Sequence, residues 1–164
     1  MSRPAQFFRA GVGAAITDGR GRVLACERGK IPGAWQMPQG GMEEGEKPID
    51  AVLREIREET GIPASHLELV DEFPGPLAYE LPPEYQTRKT GLGQVQYWFL
   101  FKFSGGDELI DLGVGGEFRA WRWMTFDALL DSAIQFRVPM YRRIAERFTT
   151  HLHRPRAAAR KERA

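Results

Sequence analysis

Residues 40–62 read Gly40-Gly41-Met42-Glu43-Glu44-Gly45-Glu46-Lys47-Pro48-Ile49-Asp50-Ala51-Val52-Leu53-Arg54-Glu55-Ile56-Arg57-Glu58-Glu59-Thr60-Gly61-Ile62. A helix is predicted to start near Pro48, whose fixed φ suits a first helical position. It should stop at Gly61, which suits the residue just past a helix C-terminus. At about 100° per residue, Ile49, Val52, Leu53 and Ile56 fall within roughly 40° of one direction and form the stripe that should be buried. Glu55, Glu58 and Glu59 cluster on a neighbouring face, since they stand three and four residues apart. Carboxylates packed this closely repel one another and cost helix stability unless cations sit among them. Mg²⁺ answers that need, because it prefers carboxylate oxygens, keeps several waters and is completed by substrate phosphates. A solvated acidic face is the competing reading of the three glutamates alone.

Working outward, residues 29–46 are punctuated by Gly29, Pro32, Gly33, Pro38, Gly40, Gly41 and Gly45, and a loop is predicted there. Residues 12–17 and 23–27 read as strands flanking the hairpin signal Asp18-Gly19-Arg20-Gly21. Beyond the helix, a strand is predicted over 67–73 and a long substrate-facing loop over 74–93, which is rich in Pro and Gly. Residues 94–103 alternate and are aromatic, as a strand requires. A further strand over 118–124 places Trp121 and Trp123 on one face, and Thr125 can cap a short helix over 126–131. The last helix is expected over 138–150, with Met140, Ile144 and Phe148 at helical spacing. This order of elements indicates an α/β (α+β) architecture, a mixed β-sheet sandwiched between helices around a single core. The domain should span 1–153, followed by a basic tail over 154–164.

The 164 residues suffice for one domain, and the balance of 42% hydrophobic to 27% charged residues is that of a globular chain. No apolar run approaches the roughly 20 residues of a membrane span, so no membrane partner is expected. The N-terminus lacks the apolar stretch of a secretory signal. The single cysteine, Cys26, reads as a small buried hydrophobe rather than a nucleophile. These features predict a cytoplasmic protein. Net charge is +1, yet residues 119–164 hold 11 Arg and Lys against 4 Asp and Glu, a net of +7. Residues 1–118 hold 12 against 18, a net of −6. Such asymmetry suits a metal site beside a polyanion-binding surface; a solvated basic helix and tail is the alternative.

Gly40, then five residues, Glu46, then seven, and then residues 54–62 fit the pattern G-x5-E-x7-R-E-U-x-E-E-x-G-U, with U apolar, at every fixed position. The stretch resembles the Nudix box. The resemblance implies the Nudix fold, a loop-helix-loop metal site and hydrolysis of a nucleoside diphosphate linked to another moiety. It implies Glu55, Glu58 and Glu59 as ligands of two or three Mg²⁺ ions, joined by Gly40, with Mn²⁺ as a possible substitute. Glu55 or Glu58 would act as base. Glu46 is expected to hold Arg54, which would orient the ligands from behind. Gly40 and Gly41 let the backbone bend and approach phosphate closely.

Four flanking segments resemble one branch of that family, the bacterial RNA pyrophosphohydrolases and the related diadenosine polyphosphate hydrolases. They are residues 8–13, residues 35–41 with Gln39 ahead of the box, residues 93–100, and residues 117–123 followed by 135–137 and 141–143. Carried over position by position, Glu117 is a further metal ligand, with a surface loop glutamate as the bland alternative. Arg9, Arg28 and Arg137 are phosphate or base contacts, for which the forked, planar guanidinium is suited. Phe136 is the aromatic on which a base stacks, with a core phenylalanine as its alternative, and Tyr79 in the long loop is a weaker candidate. Trp35 bounds the site or is structural. Trp98, Trp121 and Trp123 are expected to pack the sheet, and His66, His151 and His153 are given no role. Residues 29–34, with Lys30 and Pro32, and residues 79–91 depart from the branch's pattern.

The resemblance therefore implies an RNA 5′-pyrophosphohydrolase that converts 5′-triphosphate ends to 5′-monophosphate. The alternative within the branch is a dinucleoside polyphosphate hydrolase that splits diadenosine tetraphosphate into ATP and AMP. From another class come a non-catalytic RNA or nucleotide sensor on the same scaffold and an adaptor acting through the tail. A monomer is favoured.

Overall fold

A computed structural model describes residues 6–113 and 116–153. Among these, the chain forms β1 (Phe8–Thr17), β2 (Val23–Arg28), β3 (Trp35–Gln36), β4 (Gln39–Gly41), α1 (Pro48–Thr60), β5 (Leu67–Glu72), β6 (Leu77–Glu80), β7 (Gly93–Phe103), β8 (Phe118–Met124), α2 (Phe126–Ser132) and α3 (Val138–Phe148). The strands share one mixed sheet with the main path β3-β2-β1-β7-β5; β4 adds to β1, β6 to β7 and β8 to β2. β1 and β7 run parallel, in register from Phe8↔Gly93 to Thr17↔Lys102, and the other pairings are antiparallel.

Strand alternation sends side chains to opposite faces of this sheet. Val12, Ala14 and Ile16 of β1 join Phe99, Phe101 and Phe103 of β7 against Ala51, Val52 and Ile56 of α1. Ala15, Trp98 and Leu100 face the other way, under Leu129 of α2 and Tyr141, Ile144 and Phe148 of α3. The result is one α/β domain whose sheet divides the apolar interior into two layers. Gly13 is bare for a packing reason: a Cβ there would collide with the Trp98 indole that crosses it.

α1 begins at Pro48, and Gly61 closes it in the left-handed region (φ 73°), its N–H donating to the Arg57 carbonyl at 2.9 Å. The expected stripe faces the sheet, with Val52 and Ile56 buried and Ile49 and Leu53 half-buried against the same layer. Thr125 caps α2 by accepting the Ala128 N–H at 3.2 Å.

Two stretches read as loop carry short strands. Within 29–46, β3 pairs with β2 through Cys26↔Gln36, and β4 pairs with β1 through Gly11↔Gly41. The glycines that read as breakers permit close backbone approach here, since a Cβ on Gly11 would come 2.8 Å from the Gly40 carbonyl oxygen. Within 74–93, β6 pairs with β7 from Leu77↔Gln96 to Glu80↔Gly93, so Tyr79 is a buried strand residue and not a loop residue. Among the described residues no helix is long and apolar enough to cross a membrane. The tail predicted over 154–164 lies outside the described residues.

Candidate active site

Arg54, in the second turn of α1, is the hub of the site. Its Nε and Nη2 donate to the two Glu46 oxygens at 2.8 Å each, and Nη2 also donates to the Gly41 carbonyl at 2.9 Å. Its Nη1 donates to Glu55 at 2.8 Å and to Glu58 at 3.3 Å. The Arg54 hydrogen bonds and the Glu43–Glu46 turn hold the Glu46 carboxyl down to about 2. The arrangement expected of Arg54 and Glu46 is therefore present, and it fastens the loop before α1 to the acidic face of the helix.

Glu55, Glu58 and Glu59 project from that face, and Glu117, just ahead of β8, comes across to meet them. The four line one cavity of about 130 Å³, together with Leu112 and Phe118. Glu59 is only 8% exposed, and burial lifts its pKa well above the usual carboxylate range, with the negative charges of Glu117 and Glu55 adding to the effect. Burial raises Glu55 as well, against the opposing pull of Arg54. Glu58, at 58% side-chain exposure, reaches solvent. Gly40 lies directly against this group, since a Cβ there would collide with the Glu55 carboxylate. The Gln39 peptide N–H donates to Glu59 at 3.1 Å, which fixes one buried carboxylate to β4.

The guanidinium of Arg54 is the cation that Glu55 and Glu58 face in this arrangement. Among the described residues, no three His, Cys, Asp or Glu side chains close on one point as a finished metal cage. The donor set nonetheless fits a hard divalent ion: carboxylate oxygens around a cavity, with Glu55 and Glu59 raised in pKa by burial. Nudix hydrolases generally use a divalent metal such as Mg²⁺.

The Arg9 guanidinium packs over Gly41, where it would clash with any side chain. Arg28 donates to Gln36 Oε1 at 3.2 Å, and Arg137 donates to the same oxygen. Arg137 is only 5% exposed and lies 5.6 Å from the Phe136 ring centre, inside rather than on the surface. Phe136 is half-buried, stacked on Tyr79 at 5.8 Å and tilted against Tyr85 at 5.3 Å. Gln36 Nε2, Tyr79 Oη and Arg137 Nε are buried without a hydrogen-bond partner among the described residues. Trp35 is set into the core at 7% exposure, with Arg122 over its ring at 4.9 Å. Trp98 is core as expected, while Trp121 and Trp123 are half-buried and meet edge to face.

Sequence reasoning passed over Gln36, Gln96 and Tyr85. Gln96 had a signal: it lies in phase with Trp98 on an alternating strand, which sends an amide into the core. Tyr85 had none, since its contact with Phe136 depends on tertiary folding. Within the described part of the basic C-terminal region, several cations are engaged inside the molecule. Arg119 pairs with Glu27 at 2.9 Å and Arg147 with Asp71 at 3.0 Å, while Arg143 lies over Phe73 and Arg122 over Trp35. Cys26 is buried, and desolvation pushes its thiol pKa up, with Glu59 and Glu117 adding to the rise.

Residues 7–144 match the NUDIX domain. The chain is 41% identical over 150 residues to the RNA pyrophosphohydrolase of Cereibacter sphaeroides (strain KD131 / KCTC 12085), covering 88% of this chain and 93% of that protein. It is 37% identical over 162 residues to Nudix hydrolase 26, chloroplastic, of Arabidopsis thaliana, covering 93% and 74% respectively. Among solved structures, the E. coli dihydroneopterin triphosphate pyrophosphohydrolase superposes with a TM-score of 0.70 over 88% of this chain and 99% of that one; at 21% identity this is a likeness of fold. The domain match over most of the length, the relatives that share it and the carboxylate box carried on α1 agree: this chain belongs to the Nudix hydrolase family.

Proposed function

We propose that this protein is a divalent-metal-dependent RNA 5′-pyrophosphohydrolase, converting 5′-triphosphate (or diphosphate) RNA ends to 5′-monophosphate. The observation that carries the reading is the convergence of Glu117 with Glu55, Glu58 and Glu59 on one cavity beside the Arg54–Glu46 clamp. The relative from Cereibacter sphaeroides, which is named for this activity, supports the choice of RNA.

Glu55, Glu58, Glu59 and Glu117, with the Gly40 carbonyl, would hold two or three Mg²⁺ ions, or Mn²⁺ in their place. Such ions, when bound, offset polyphosphate charge, polarise the attacked phosphorus and lower the pKa of a water. The protein's own groups do the rest. Arg54, gripped by Glu46, keeps Glu55 and Glu58 from swinging apart, and the Gln39 N–H does the same for Glu59. Glu55 or Glu58 takes the proton from the attacking water. Arg9, Arg28 and Arg137 supply positive charge toward phosphate and base, and Phe136 offers a stacking face with Tyr79 packed behind it. Trp35 bounds the site from within the core. On this reading the protein acts as a cytoplasmic monomer.

The test is kcat/KM in Mg²⁺ for a short 5′-triphosphorylated RNA beside that for diadenosine tetraphosphate, with Glu58→Gln as the blank. A preference for RNA supports the reading. A preference for the dinucleotide replaces it with dinucleoside polyphosphate hydrolysis. No turnover of either by a folded protein points to the sensor.

A further inference from the structure

Trp98 Nε1 donates to Gln96 Oε1 at 3.2 Å. An indole N–H can only donate, so this contact fixes which end of the Gln96 amide faces it. The carbonyl is committed to Trp98, and the NH₂ must point the other way. Gln96 is fully buried, and buried N–H groups need acceptors. Its NH₂ finds two, the side-chain carbonyls of Gln39 and, at 2.7 Å, of Gln94. The sense of one indole thereby dictates the sense of three amides: Gln39 and Gln94 turn their oxygens inward and are left with their NH₂ groups outward.

Both outward amides are half-exposed, and among the described residues neither NH₂ has a protein acceptor. They open beside the box. A Cβ on Gly11 would come 2.8 Å from the Gly40 oxygen, 3.4 Å from Gln96 and 3.6 Å from the Gln94 amide oxygen, so these groups form one continuous lip. Arg9 lies over Gly41 on the same lip, and the Gln39 peptide N–H holds Glu59.

We infer that Gln96, oriented by Trp98, is a positioning residue that turns the Gln39 and Gln94 amides donor side out to meet phosphoryl oxygens of the substrate beside Arg9. The inference rests on the pyrophosphohydrolase reading and names how that site favours an anion. With the opposite sense, two amide oxygens would line the lip and repel phosphate.

Gln96→Glu reverses the sense without changing shape. Its carboxylate still accepts from Trp98 but has no N–H for the neighbours. Gln39 and Gln94 then donate inward and present oxygen to the substrate. KM for a 5′-triphosphorylated RNA should rise about tenfold or more, with kcat within roughly threefold, since hydrogen bonds to a charged group are lost. Gln96→Met abolishes the sense without reversing it and should raise KM less. A merely structural role would make both variants lose activity in step with Tm. In the wild-type protein, titration with inorganic pyrophosphate should shift the side-chain amide ¹⁵N–¹H resonances of Gln39 and Gln94 more than that of Gln96, a readout that stands even where a variant does not fold.

Unmoved Gln39 and Gln94 resonances while pyrophosphate binds, or a wild-type KM in folded Gln96→Glu, would overturn the inference and leave the reaction untouched. Wild-type protein that hydrolyses neither RNA nor dinucleotide, yet shows the shifts, would overturn the reaction and leave the donor lip standing.

Discussion

Arg54 commits all five of its N–H groups, and two of them form a fork on Glu46 at 2.8 Å each. An ammonium cannot make that fork, so Arg54→Lys should lower kcat by about 10- to 100-fold while the far-UV circular dichroism of the folded protein is unchanged. The pair also sets an acid limit. Glu46 is depressed to about 2, so its contribution to stability is complete above its unfolded pKa of about 4.3 and is lost only as pH falls toward 2. Arg54→Lys should therefore cost more stability at pH 6, where the contribution is whole, than at pH 3, where part of it is gone, and urea denaturation midpoints at the two pH values would show the gap narrowing.

Glu58 is the most exposed of the three glutamates on the acidic face of α1, so its substitution perturbs the site with little cost to the fold. Glu58→Gln should reduce kcat by at least about 10²-fold at unchanged Tm. Near wild-type turnover would remove Glu58 from the chemistry.

Phe136 stacks on Tyr79 and meets Tyr85, which leaves it between two roles, base platform and satellite of the core. Phe136→Ala should weaken RNA turnover by about 1–3 kcal/mol in kcat/KM, the worth of one stacked base, and affect inorganic triphosphate far less. Equal losses on both substrates would assign the ring to the core.

Tyr141 is fully buried and accepts the Met37 N–H at 3.1 Å. Tyr141→Phe leaves that N–H without a partner and should cost about 1–3 kcal/mol in urea denaturation at pH 8. Burial pushes the phenol up to about 12, against an unfolded value near 10. The sign follows: the folded state favours the neutral form, so this contribution is whole below pH 10 and is lost as pH climbs through 12. The gap between wild type and Tyr141→Phe should therefore narrow by pH 11.

What the sequence made legible was local. Pro48, Gly61 and the stripe at Val52 and Ile56 define α1 without reference to the rest of the chain, and the spacing of Glu55, Glu58 and Glu59 follows from the helix alone. Glu117 reached the same cavity through the family resemblance, since 58 residues separate it from Glu59 and no spacing rule connects them. The short strands were hidden because partners define them: β4 has three residues, and β6 is a strand only where β7 pairs with it. The charge asymmetry was legible as a count but not as a placement, for the same reason. Arg119 finds Glu27 and Arg147 finds Asp71 across the fold, so part of the apparent basic surface is neutralised within the molecule.

The parallel pairing of β1 with β7 also orders the assembly of the site in time. Phe8 and Gly93 are 85 residues apart, whereas β4 and its flanks reach β1 across about 30, as in Gly11↔Gly41. Contacts of such span close slowly, because the loop entropy is lost before the contacts repay it. The helix bearing the carboxylates can therefore form early from its own residues. Arg9 and Gly11 must wait to meet Gln94 and Gln96, so the part of the site that receives the substrate belongs to the final step of folding.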